Sequence, residues 1–380
     1  MLTTASVVGR EFEFRLLSSI SGTAKENELL EALEEALGAQ VLEELPDSAE
    51  RYQFTHAPIQ ETLSSELSAA RRVRLNARIG EAREELYGAD AENHAAELAH
   101  HCTQAELVLG PEKLVRDSWL AGEQALAGYA YEAAFTNFQQ ALAAKGVPLT
   151  GSAPAPDGEA EALLFGQGRA QVATLQRHQL GEAVTSLGRA FDYYVGHGDA
   201  ERAITVPGTP LTTAPCTLTG VTGLVAQALP LVPQDSLEAG NLLTRHGRAL
   251  GIEEGNYEGT HGALAIARHE NDVSLEMWTL ANAAQVEMYH LHNQESLEFS
   301  LRATELALKI GDIHGEVVAR YWILLSLRNN GEIGQARKQA PAIFEPAERS
   351  RDRYWRVSVF DINLTLALVV GDWESARSFS

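Results

Sequence analysis

The chain has 380 residues and a formal net charge of −22, with 52 acidic against 30 basic side chains. That length suits two or three domains, or one small domain with an elongated array. The apolar share of 45% excludes a disordered chain, and the acidic excess opposes general binding to nucleic acid or anionic membranes.

Two cysteines, Cys102 and Cys216, are too few for a disulfide framework. No apolar run reaches the ~18–20 residues that span a bilayer. The N-terminus MLTTASVVGREFEF has no basic stretch before an apolar core, so it does not read as a signal peptide. A cytoplasmic protein is expected.

The first segment reads as short helices and a hairpin. Phe12, Phe14, Leu16 and Leu17 predict a packed helix over residues 11–20. Thr23 and Glu26 form a capping-box pattern, and Leu30, Leu33 and Leu37 line one face of the next helix. Val41, Leu42 and Leu45 predict a strand, Pro46-Asp47-Ser48 a turn, and residues 52–55 a return strand. A helix over residues 57–67 follows, then a longer arm over 71–87 and another helix over 91–107. The order helix, helix, hairpin, helix is winged-helix-like.

From Pro111 the chain becomes periodic. In the unit from Pro111 to Gly146, small residues at Gly122, Ala134 and Ala141 permit close helix approach, while Tyr131 and Phe138 fill the space between. This spacing resembles the 34-residue tetratricopeptide repeat, with Gly146 where that pattern has proline. Later turns are predicted between repeats at Gly198-Asp199, at 233–235, and at Asn271-Asp272, Gly311-Asp312 and Arg351-Asp352. Turns within repeats are predicted at Gly255-Asn256, His292-Asn293, Asn330-Gly331 and Gly371-Asp372.

Two stretches break the pattern. Residues 147–157 are rich in Pro, Gly and Ser and read as a loop. Pro207, Pro210 and Pro215 exclude a continuous helix, which leaves a shorter one over residues 221–229. The chain ends one short stretch into the second helix of a repeat without a polar cap, so continuation past Ser380, or a truncated product, is expected.

The segments ASVVGREFEFRLL, LLEALEEALGAQVLEEL and RYQFTHAPIQETLSSELSAARRVRLNARIGEA resemble the region that follows the nucleotide-binding core of bacterial STAND-type, AAA-like ATPase regulators. That family includes proteins fused to adenylate or guanylate cyclase domains and to LuxR-type DNA-binding domains. The resemblance implies an all-α chain with a winged-helix-like domain and arm over residues 1–88. A connecting helix over 89–110 and a tetratricopeptide-like α-solenoid over 111–380 would follow. It implies a non-catalytic regulatory region, whose repeats act as sensor or partner-binding surface and whose winged helix relays to an ATPase core. No GxxxxGK[ST] phosphate loop occurs in the chain; GEIGQARK at Gly331 has the wrong spacing. No cofactor is expected, and the partner is another protein or the parent's own ATPase domain. A DNA-binding transcriptional regulator using residues 1–85 is the alternative.

His56 ends a predicted strand and opens a helix. The resemblance implies a sensor there that contacts the β-phosphate of bound ADP in the full-length parent. Arg71, Arg72, Arg74 and Arg78 form a basic cluster, read as a solvated face self-paired with neighbours such as Glu81. His94, His100 and His101 lack the i,i+4 spacing of helical zinc ligands, so no metal is expected; a histidine packed against the first repeat fits better. No catalytic constellation is found, and Cys216 reads as an ordinary thiol. Aromatic residues recur along the repeats. Trp278, Tyr321 and Tyr354 fall on predicted first helices, which face inward in curved arrays, and are the candidate partner contacts.

Overall fold

The computed structural model describes residues 1–21, 26–45, 50–175, 177–208, 220–350 and 352–379. Thr23, the turn at 46–48, Pro210, Pro215, Cys216 and Arg351 lie outside them. The protein is predominantly helical with one small antiparallel sheet, and it divides into two compact units. The first comprises residues 1–151 and 157–174; the second comprises 152–156 and 175–380.

The first unit opens with α1 (Leu2–Val8), β1 (Glu11–Glu13), α2 (Phe14–Ile20), α3 (Glu26–Gly38), β2 (Leu42–Glu44), β3 (Arg51–Phe54) and α4 (Ala57–Ser65). The strand order is β1-β3-β2, so the expected hairpin gains a third strand. Residues 11–13, expected as helix, pair instead with β3, with Phe12 opposite Tyr52. The period switches from two to 3.6 at Phe14. Phe12, Leu42, Tyr52 and Phe54 point into one core with Leu17, Ile20, Leu33 and Ile79, while Glu11, Glu13, Glu43 and Glu44 face solvent. Burying those apolar side chains contributes about 1.5–3 kcal/mol each.

Sequential helices follow: α5 (Ala69–Tyr87), α6 (Ala95–Leu109), α7 (Pro111–Ala127), α8 (Tyr131–Ala144) and α9 (Gly158–Thr174). Each packs on the next. Phe138 of α8 is fully buried between two glycines. A Cβ at Gly122 of α7 would lie 2.7 Å from its ring, and one at Gly166 of α9 would lie 2.4 Å away. Three helices therefore meet on one aromatic ring because two residues have no side chain.

The second unit contains α10 (Leu180–Gly196), α11 (Ala200–Gly208), α12 (Val221–Ala228) and α13 (Leu237–Glu254). It continues with α14 (Glu258–Glu270), α15 (Val273–Tyr289), α16 (Asn293–Ile310) and α17 (Ile313–Asn329). It ends with α18 (Ile333–Gln339), α19 (Phe344–Ser350), α20 (Arg353–Val369) and α21 (Trp373–Ser378). Pro207 falls in the last turn of α11. The segment 333–350, between the turns expected at Asn330-Gly331 and Arg351-Asp352, forms α18 and α19 separated by a 3-10 turn at Ala340–Ile343 that contains Pro341. Proline lacks the N–H that would continue the ladder.

From α13 onward the helices stack as pairs, with α13, α15, α17 and α20 as first members. Each first helix packs on the next first helix as well as on its own partner. In the first of these pairs the backbones themselves touch. A Cβ on Gly259 would sit 2.8 Å from the Cα of Gly247.

The first helices α15, α17 and α20 share one starting device, whereas Ser236 caps α13. Asp272, Asp312 and Asp352 are their N-caps, accepting from the backbone N–H groups of Leu275, Gly315 and Trp355. These aspartates recur every 40 residues. Asn271 and Gly311 precede two of them with φ of 55° and 72°, the left-handed turn that closes the previous helix. The second oxygen of Asp312 also accepts from Trp278 Nε1 at 3.2 Å, so one carboxylate starts α17 and holds α15.

Two stability effects follow. Gly166→Ala should lower stability by about 1–3 kcal/mol through overpacking against Phe138, with part of the loss recovered by adding Phe138→Leu; thermal unfolding of the three proteins checks this. Asp312→Ala should cost about 1–2 kcal/mol, more than an exposed Glu305→Ala on α16, in the same assay.

Candidate functional site

The aspartate caps set the register of what lies beyond them. Trp278 is six residues after Asp272, Tyr321 nine after Asp312, and Tyr354 two after Asp352. Positions two, six and nine are separated by four and three residues, so they share one face of a helix. The three candidate contacts therefore occupy equivalent faces of three adjacent first helices, and all three are half-buried.

Two further rings join them into a row. His314 of α17, at position two, packs 5.5 Å from Trp278 and 6.3 Å from Trp355 between ring centroids. Trp355 of α20 lies 5.4 Å from Tyr321 at 70° and 5.2 Å from Tyr354 at 76°, both edge-to-face. Aromatic pairs in this range gain about 0.5–1.5 kcal/mol beyond area burial. His314 Nδ1 also stands 3.8 Å from an Asp352 oxygen. Burial first, then Tyr354 and Asp361, pushes the Tyr321 hydroxyl up to about 12, so it remains a donor at neutral pH. Trp322 turns the other way, into the core, at 2% exposure.

The face is thus a set of half-exposed rings held in place from below. Rings of this kind offer apolar area at small entropic cost and suit recognition of an extended or helical segment. His314 and Trp355 were not singled out from the sequence as contacts. The 40-residue spacing of Ser274, His314 and Tyr354 after the aspartates was the signal that would have found His314.

The remaining candidates lie in the first unit. His56 sits exposed between β3 and α4 as the N-cap residue, as its sequence position implied, and makes no side-chain cap bond. The arginine cluster departs from expectation. No ion pair joins Arg71, Arg72, Arg74 or Arg78 to Glu81 or another carboxylate among the described residues. Arg78 instead donates to the Ile20 carbonyl. Glu84 is taken by Lys113 and Arg116 of α7, which are nearer to it than the arginines of its own helix.

The rings of His100 and His101 meet edge-to-face, with centroids 5.2 Å apart. His94 stacks on Tyr87, with centroids 3.7 Å apart, and His100 is exposed. His101 is buried, but its Nδ1 meets Asn76 Oδ1 of α5 at 2.8 Å rather than a group of the first repeat. Among the described residues no three His, Cys, Asp or Glu side chains group as metal ligands. Cys102 is buried and donates to Asp117 Oδ2 at 3.2 Å; burial first, then the Asp117 charge, pushes its thiol up to about 12. Among the described residues no helix is long and apolar enough to cross a membrane.

No protein-family model matches the chain, and neither does any curated protein. Among solved structures, one similar to it is a Signal Transduction ATPase with Numerous Domains (STAND) protein with a tetratricopeptide repeat sensor from Pyrococcus horikoshii. That alignment covers 99% of this chain and 60% of the other, at 14% identity and a TM-score of 0.37. A circular tandem repeat protein with novel repeat topology aligns over 100% of this chain and 93% of its own, at 13% identity and a TM-score of 0.21. The chain therefore spans about 60% of the STAND protein's length. Both likenesses are too distant to carry an argument.

Burial first, then the charges of Arg83 and His100, drops the His101 imidazole to about 3 from an ordinary 6.5. Between those values the unfolded chain holds a proton that the native protein does not, so stability falls as pH falls through that window. His101→Gln, which can still bond Asn76, should flatten the pH slope of unfolding free energy between pH 6 and 4 by about one proton; denaturant titrations across that range test it.

Proposed function

We propose that this chain is a non-catalytic regulatory and protein-interaction region of a STAND-type signalling ATPase. Its helix pairs bind a partner, and its sheet-containing, winged-helix-like region relays that event to an ATPase core. The observation that carries the reading is the row of half-buried rings from Trp278 through His314 and Trp355 to Tyr321 and Tyr354 across three first helices. Capping aspartates brace the row: Asp312 accepts from Trp278 Nε1 at 3.2 Å, and an Asp352 oxygen stands 3.8 Å from His314 Nδ1. Such a face recognises a peptide segment through buried aromatic anchors, whether that segment belongs to another protein or to the parent's own ATPase domain.

In this reading the winged-helix-like region places His56 where its imidazole can donate to a phosphate held by the ATPase core. The alternative, direct reading of DNA by residues 1–85, is opposed by the outward Glu11, Glu13, Glu43 and Glu44 of the sheet, which repel a duplex.

A photoreactive residue in place of Tyr354, in the chain expressed in its source cells, should capture one defined protein. One in place of the exposed Leu308 on α16 should not. Adding Trp278→Ala should reduce the Tyr354 adduct about tenfold or more. Equal capture from Leu308, or ATP turnover by the chain alone above a buffer blank, would contradict the proposal.

A further inference from the structure

The first unit contains a cavity of about 790 Å³ beneath the N-terminal half of α5. Arg71, Arg74 and Arg78 line one wall, at the three- and four-residue spacing that puts them on one helix face. Thr4 of α1, Ser21 after α2 and Glu28 of α3 contribute to the opposite side. Its volume falls in the range of small-molecule sites, roughly 300–1,000 Å³.

Arg51, Arg83, Lys113, Arg116, Lys145 and Arg169 of the same unit each pair with a carboxylate. With 52 acidic side chains against 30 basic ones, partners are in excess. Arg71 and Arg74, like Arg10 and Arg15, have no carboxylate partner among the described residues, and Arg78 donates one of its guanidinium N–H groups to the Ile20 carbonyl. Among the described residues, three arginines thus line one cavity with one acidic residue, Glu28. Their mutual repulsion is relieved when an anion enters between them, and the Thr4 hydroxyl adds a donor that a phosphate oxygen accepts, while the Ser21 hydroxyl donates to the Leu17 carbonyl at 2.6 Å.

We propose that this cavity binds a small molecule carrying two or more phosphate groups. Guanidinium forks match phosphate geometry in pairs, and three of them on successive turns of one helix suit more than one phosphate. A duplex does not fit the site, because the cavity is walled by three other segments and the nearby strands present Glu11, Glu13, Glu43 and Glu44 outward. The proposal is independent of the aromatic face, which lies in the other unit.

Inorganic tripolyphosphate titrated calorimetrically into the full chain at low salt tests it. Binding is expected, with Arg71→Gln/Arg74→Gln weakening it about tenfold or more and Arg10→Gln/Arg15→Gln, exposed arginines outside the cavity, leaving it within about twofold. Glu28→Gln removes the opposing carboxylate and should tighten binding several-fold, a gain that a misfolded variant could not produce. Absence of binding, equal loss in the two arginine pairs, weaker binding in Glu28→Gln, or tighter binding of a short DNA duplex with the same arginine dependence would each overturn it.

Discussion

A single helix pair cannot hide its own apolar stripe, and the rest of this protein depends on that constraint. Each pair must be covered by the next, which requires backbones to approach closely and registers to agree. Glycines meet the first demand: Gly122 and Gly166 around Phe138, and Gly247 against Gly259. Capping aspartates meet the second, because Asp312 fixes where α17 begins and binds Trp278 of the preceding first helix.

The candidate recognition face is a consequence of this packing. Once the aspartates set the helix starts, residues two, six and nine beyond them share one face. Contact between successive first helices then brings Trp278, His314, Trp355, Tyr321 and Tyr354 into ring contact. Because the rings already contact one another, a partner binding this face as proposed would cost little rotamer entropy. The polar groups in the first unit behave differently. His101 with Asn76 and Cys102 with Asp117 are buried between helices, where they hold packing together and are shielded from reagents.

Much of this was legible in the residues. The Gly-Asp and Asn-Asp turns marked the helix starts because the left-handed turn and the N-cap each demand particular side chains. The packing role of Gly122 and Phe138 followed from the tetratricopeptide spacing. The strand at 11–13 was hidden, since its partner lies some 40 residues away and three residues give no usable period. The arginine cluster was misjudged for a similar reason: sequence spacing showed Arg78 and Glu81 as neighbours, but the acceptor nearest Arg78 belongs to α2. Local pattern shows which side chains share a helix, and tertiary packing decides which groups they meet.

One carboxylate, Asp312, joins neighbouring first helices by capping α17 and accepting from Trp278 of α15. A double-mutant cycle of Trp278→Phe and Asp312→Asn, read by thermal and denaturant unfolding, tests it most directly. The expected coupling is about 0.5–1.5 kcal/mol, with the two substitutions together costing less than their sum. Strict additivity of the two would show that the helices are stacked without that link, and would contradict the account.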